Sequence, residues 1–187
     1  MTRLELRAGT PATSTYLIEW LNSSGSLTDD DAQWADWEQW FVEIEKSHTS
    51  LPILSFFRSP QPGRSWVMAA GLVLNMANLL FSALYAPHTR QIELTFKAGC
   101  LSINRVYRFF DTKASIEPAA ELLDPIPSTA PEHPEFDQAL NDLTALGLPV
   151  CADRAAAWRH FQERRMRHAA ALEYLAELAM SPETRAL

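Results

Sequence analysis

The sequence predicts an all-α fold, a bundle of five to seven helices with a central apolar helix. Three observations support this prediction: there are only six glycines, apolar residues recur three and four positions apart, and no segment alternates as a strand would. The hydrophobic share of 47% and the charged share of 21% are typical of a globular chain. We therefore expect residues 1–187 to form a single helical domain.

The first two helices are predicted at residues 14–22 and at about Asp29–His48. Thr28 and Asp31 have the spacing of a capping box at the start of the second helix. One stripe then follows the helical period, with Trp40 at its edge: Trp34, Trp37, Phe41, Ile44 and His48. Pro52 ends this pattern because proline cannot continue a helix.

The central apolar helix is predicted at about residues 65–86, with Ser65 as its N-cap. This uncharged segment has about the ~20 residues that are needed to span a bilayer. Its amides argue against spanning, because hydrocarbon offers them no hydrogen-bond partner. One seam collects the small and polar groups: Gly71, Asn75, Asn78 and Ser82. We therefore expect a buried helix against which a neighbouring helix packs closely.

Three more helices complete the predicted bundle, at about residues 89–110, 134–146 and 152–180. The first of them keeps an unbroken stripe: Ile92, Phe96, Gly99, Ile103, Val106 and Phe110. A connecting loop is predicted at residues 111–134, with its prolines concentrated in about 115–134. Gly147 is the expected end of the helix that begins at Pro134.

Charge and cysteine usage restrict the class of protein. A net charge of −7 argues against nucleic acid as a partner, because phosphate binding requires a basic face. Cys100 and Cys151 lie far apart and form no metal or disulfide framework, as in a reducing cytoplasm. The N-terminus has no apolar core of a secretory signal. These features predict a cytoplasmic location, at the inner face of the cell membrane if the partner is a membrane protein.

Candidate chemistry is sparse. Glu45 and His48 form one Glu-x-x-His pair, but a di-metal bundle needs two such pairs, and His160 with Glu163 has the reverse order. The sequence contains no GxSxG elbow, P-loop or GxGxxG motif. We therefore predict no enzyme activity, no metal and no cofactor. His48 is expected to be structural, capping its helix and packing under the loop that follows.

The first half of the last predicted helix is basic, from Arg154 to Arg167. On an acidic protein such a segment is suited to anionic lipid or to an acidic partner. The other interpretation is a solvated face that pairs with the protein's own carboxylates. The sequence leaves both interpretations open.

The stretch "WEQWFVEIEKSHTSLPILSFFRSPQPGRSWVMAAGLVLNMANLL" resembles the soluble C-terminal cytoplasmic region of bacterial two-transmembrane, potassium-channel-like proteins. In that family a tryptophan-bearing helix ends in a histidine, enters a "YPVL-x-[FY]-FRS" turn and continues into an apolar helix opened by "SW". The matching residues are Trp37, Trp40, His48, Pro52, Leu54, Phe57, Arg58, Ser59, Ser65 and Trp66. The resemblance extends weakly to "RAGTP" at residues 7–11 and to the last helix.

This chain departs from the family at several points. It has no selectivity-filter sequence such as TVGYG, Leu51 stands where the family often has an aromatic residue, and Asn75 where it often has Asp. The chain is therefore expected to lack a filter of its own. The resemblance implies a regulatory or assembly domain whose partner is a transmembrane pore region, another membrane protein or a second copy.

Two functions remain open from the sequence. The first is the non-enzymatic domain that the resemblance implies, in which residues 47–66 form a conformational corner and Arg58 donates to helix-end carbonyls or to Glu45. The alternative is a ligand-binding or enzymatic helical protein with a pocket near Trp37, His48, Arg58 and Asn75. A pocket with convergent polar groups favours the alternative, and a closed corner favours the first.

Overall fold

Seven helices make up the part of the chain that the structure, a computed structural model, describes: residues 13–23, 31–52, 65–85, 89–111 and 134–179. They are α1 (Ser14–Ser23), α2 (Asp31–Ser50), α3 (Trp66–Ala83), α4 (Arg90–Phe110), α5 (Pro134–Ala145), α6 (Arg154–Arg165) and α7 (Ala169–Leu178). These residues contain no strand, only one isolated antiparallel bridge between Leu84 and Val150. The predicted all-α class is confirmed.

Helix α3 is the centre of the bundle and packs against α1, α4, α6 and α7. Among the described residues it is the one helix long and apolar enough to cross a membrane, yet 72% of it is buried inside the fold. The core helix of a soluble protein has the same length and composition. The prediction of a buried central helix is therefore confirmed.

Helices α2 and α4 form the most extensive pairing in the bundle. The Thr95 hydroxyl donates to the Trp34 carbonyl at 2.8 Å, and Arg105 pairs with Glu45 at 3.0 Å. The earlier residue of α2 contacts the earlier residue of α4, and the later contacts the later, so α2 and α4 run in the same direction. Gly99 allows their close approach: a Cβ there would lie 2.8 Å from the Leu74 and Phe41 side chains. The predicted stripes of both helices are buried, with Phe110 half-buried.

Local sequence signals define most helix ends. The Ser65, Thr89 and Asp153 side chains each accept a hydrogen bond from a backbone N–H in the first turn of the helix that follows. Gly147 has a φ of 76°, in the left-handed region that glycine adopts without strain. This conformation lets the Leu148 N–H reach the Leu143 carbonyl at 3.2 Å and end α5.

The prediction of one long helix at residues 152–180 is wrong. The chain leaves α6 at Arg165, makes a turn at residues 166–168 and starts α7 at Ala169. In this turn the N–H groups of Arg167 and His168 bond three residues back, at 3.1 Å each. Backbone angles of φ −144° and ψ −15° at His168 place its ring in the core. The break keeps α7 packed on α3 and α4.

Two other predictions fall on undescribed residues. The proline-rich loop at 111–134 lies almost entirely outside the described ranges, and so does Thr28 of the predicted capping box. Helix α2 is described from Asp31 onward.

Candidate functional site

The corner between α2 and α3 is formed by a histidine packed on a tryptophan. His48, in the last turn of α2, is 8% exposed, and its ring centroid lies 4.3 Å from that of Trp66 in the first turn of α3. The His48 Nδ1–H donates to the Ile44 carbonyl at 2.9 Å, one helical turn earlier. This contact satisfies a carbonyl near the helix C-terminus, where intrahelical donors run out. The structural role predicted for His48 agrees with these contacts.

Burial lowers the pKa of His48 from its usual 6.5, and the hydrogen bond to the Ile44 carbonyl raises it by a smaller amount. The net direction keeps the imidazole neutral near pH 7. Glu45, the other half of the Glu-x-x-His pair, binds Arg105 at 3.0 Å and accepts from the Ser102 hydroxyl at 3.3 Å. No three His, Cys, Asp or Glu side chains in the described ranges come together as a metal-binding group.

The other predicted site residues lie around this corner or outside the residues that the structure describes. Trp37 is buried and packs edge-on against Trp34, with centroids 4.9 Å apart, while Trp40 is half-buried beside Phe41. Pro52 follows α2 and Ser65 caps α3. Phe57, Arg58 and Ser59 lie outside the described residues, so the predicted role of Arg58 stays a prediction.

The predicted polar seam of α3 is a hydrogen-bonded contact with α6. The fully buried Asn78 amide donates to the Phe161 carbonyl at 2.8 Å, and its oxygen accepts from the Ser82 hydroxyl at 3.1 Å. Gly71 faces Leu172 of α7. Asn75 is only half-buried, so the seam depends on Asn78 more than on Asn75. Among the described residues, no hydrogen bond joins the Asn75 or Asn78 amide to the His48 imidazole.

Cys100 and His168, which no sequence motif pairs, lie together in the core. The Cys100 Sγ lies 3.7 Å from the His168 Nδ1, and the imidazole packs edge-on against Phe96 with centroids 5.8 Å apart. The two residues are 68 positions apart, so no local motif reports their contact. The sequence did contain one signal for the burial of His168. This residue lies on the apolar helical stripe of the last predicted helix.

Burial decides the chemistry of this pair. It raises the pKa of Cys100 to about 12, and it lowers that of His168 to about 3, with a smaller lowering from Arg165. Both groups are therefore neutral near pH 7. A nucleophilic cysteine needs the opposite environment, in which a nearby cation stabilises the thiolate. The pair is suited to packing rather than to catalysis.

A cavity of about 700 Å³ lies elsewhere, between α1 and α5. Its walls include Thr13, Tyr16, Glu19, Gln138 and Asp142. None of the residues predicted to line a ligand pocket takes part in it.

Comparisons with known proteins identify no relative. No family model, no curated protein and no solved structure matches this chain.

Proposed function

We propose that the chain is a non-enzymatic helical domain that regulates or assembles a membrane protein at its cytoplasmic side. The observation that carries the proposal is the packing of the His48 ring on the Trp66 ring, in the motif of the family resemblance. Each candidate catalytic group there has a structural partner: His48 binds the Ile44 carbonyl and Glu45 binds Arg105. A corner of this kind fixes the direction of α3 relative to α2, which is what an assembly domain requires.

The alternative, a small-ligand or enzymatic pocket, receives less support from the described residues. Trp37 and His48 are buried in side-chain contacts rather than exposed to an opening, and Asn75 is half-buried. The cavity between α1 and α5 does not include them. Ligand pockets present convergent polar groups to a shared concave space, and this arrangement is not found around the described part of the corner.

Proximity labelling in the source cells tests the proposal. The full chain is fused to a biotin ligase, and labelled proteins are compared with those from free ligase at matched expression. We expect enrichment of integral membrane proteins, and a reduction of that enrichment in a Trp66→Ala variant that loosens the corner. A labelled set identical to that of the free ligase would contradict the proposal.

A second measurement addresses the alternative directly. Purified protein is screened by thermal shift against a library of small metabolites. A compound that raises the melting temperature of the wild type and not of Trp37→Phe would replace the assembly role with the ligand-binding one.

A further inference from the structure

The outer face of α4 carries an exposed stripe of alternating cations and leucines. Its residues follow one another at intervals of three or four, which places them on one side of the helix. This α4 stripe consists of Arg90, Leu94, Lys97, Leu101, Arg105 and Arg108, all of them exposed. Leu94 is 38% and Leu101 55% exposed, and Phe109 beside the stripe is 48% exposed. Cations and leucines on one exposed helix face are the two kinds of side chain with which an amphipathic helix binds a bilayer surface.

Three more arginines adjoin the stripe at the break between α6 and α7. The Asn104 amide of α4 donates to the Arg167 carbonyl at 2.7 Å, which fixes the break against α4. The Arg164 guanidinium lies 4.7 Å from the centroid of the Phe81 ring and interacts with Glu93 of α4. Arg165 is half-buried beside His168. The break thus continues the basic surface of α4 on the side away from α2.

The charge of this surface has the opposite sign to that of the whole protein. The stripe and the break hold seven cations: Arg90, Lys97, Arg105, Arg108, Arg164, Arg165 and Arg167. The carboxylates that interact with these cations include Glu45 from α2, Glu93 from α4 and Glu163 from α6. The surface therefore has an excess of positive charge on a chain whose net charge is −7. Water screens the ion pair between the exposed Lys97 and Glu93 side chains, and it screens less fully the pair between exposed Arg105 and half-buried Glu45.

We propose that the α4 stripe and the adjoining break bind the surface of an anionic phospholipid bilayer. The cations are attracted to the negative headgroups, and Leu94 and Leu101 enter the boundary between headgroups and acyl chains. The acidic remainder of the protein is repelled by the same surface, which orients the molecule with α4 toward the lipid. Arg154, at the far end of α6, pairs with Asp137 and Asn141 and takes no part in this contact.

This proposal differs from binding along the whole basic segment from Arg154 to Arg167, which the sequence suggested. Because that segment bends at residues 166–168, it presents only its C-terminal end to the same side as α4. The proposal does not depend on the proposed regulatory role. Binding to vesicles that contain only lipid can be measured whether or not the chain has a membrane-protein partner.

Vesicle co-sedimentation tests it with the full chain. Large vesicles contain either phosphatidylcholine alone or phosphatidylcholine with 30 mol% phosphatidylglycerol, at 50 mM and 500 mM NaCl. We expect at least ten-fold tighter binding to the anionic vesicles at low salt, and loss of that difference at high salt. Removal of each cation should weaken binding about five-fold, so Arg90→Gln with Arg108→Gln should weaken it roughly 25-fold.

Matched variants separate a bilayer from other polyanions. Arg154→Gln removes the same charge away from the surface and should bind like the wild type. Leu101→Ser should weaken binding several-fold, whereas Leu51→Ser, an equally exposed leucine at the end of α2, should not. Circular dichroism confirms that each variant is folded. No preference for anionic vesicles would overturn the proposal, and so would an effect of the cations without an effect of Leu101, which indicates a water-soluble polyanion.

Discussion

Acidification is expected to destabilise this protein through His168. The pKa of His168 is lowered from 6.5 to about 3 in the fold, chiefly by burial. The unfolded chain therefore takes up a proton that the folded chain does not accept as pH falls from 6.5 toward 3. The contribution of the neutral His168 to folding stability is fully present above pH 6.5 and is lost progressively below it. Within this window, each pH unit lowers the free energy of unfolding by up to about 1.36 kcal/mol. The loss between pH 7 and pH 5 is therefore about 2 kcal/mol.

Structure explains why the imidazole resists protonation. Its Nδ1 contacts the Cys100 thiol, and its Nε2 is buried without a hydrogen-bond partner among the described residues. The positive charge of Arg165 further disfavours an imidazolium. A protonated ring would carry an unpaired charge in the core, and the protein would avoid it by unfolding locally or globally.

Urea unfolding at pH 7, 6 and 5 measures this effect. Wild type is compared with His168→Phe, which retains the ring volume, and with His168→Gln, which retains a polar group; neither variant titrates at this position. His48 contributes in the same direction because its pKa is also lowered, so the difference between wild type and variants isolates His168. We expect wild type to lose about 2 kcal/mol more than either variant. An equal pH dependence in wild type and both variants would refute the reasoning.

Three further predictions follow from the packing of α3 and α4. Gly99→Ala should cost about 1–3 kcal/mol in urea unfolding because its Cβ overlaps two facing side chains, whereas Gly71→Ala has room and should be neutral or stabilising. Asn78→Ala should cost about 1–3 kcal/mol because it removes two buried hydrogen bonds, one to the Phe161 carbonyl of α6 and one from the Ser82 hydroxyl; a change below about 0.5 kcal/mol would contradict this. A thiol reagent at pH 8 should modify half-buried Cys151 in the native protein and Cys100 only in denaturant, since burial raises the pKa of Cys100 to about 12.

Helix boundaries and buried faces were predictable from the sequence wherever a local signal exists. Ser65, Thr89 and Asp153 act as caps within the next turn, and Gly147 ends α5 because only glycine adopts its backbone angle without strain. Helical periodicity also identified the buried stripes of α2 and α4, because residues three or four positions apart lie on the same side of a helix and face the core together. The burial of α3 also followed from local chemistry, because its amides require partners.

The break at residues 166–168 was not predictable in this way. The stripe through Trp158, Phe161, His168, Leu172 and Leu175 keeps its spacing across the break, since a single turn with bonds three residues back hardly shifts the register. No proline or glycine marks the position. At the break, His168 packs against Phe96 and Cys100 of α4, residues that are distant from it in the sequence.

The same distinction applies to the candidate sites. The sequence alone placed His48 near the end of a tryptophan-rich helix, because this position depends only on neighbours along the chain. Tertiary structure decided that Glu45 binds Arg105 instead of acting with His48, and that Asn78 rather than Asn75 bonds to α6. It also brought the arginines of the break beside the α4 stripe. Each of these contacts joins residues at least 60 positions apart, and periodicity within a helix carries no information about which helices meet.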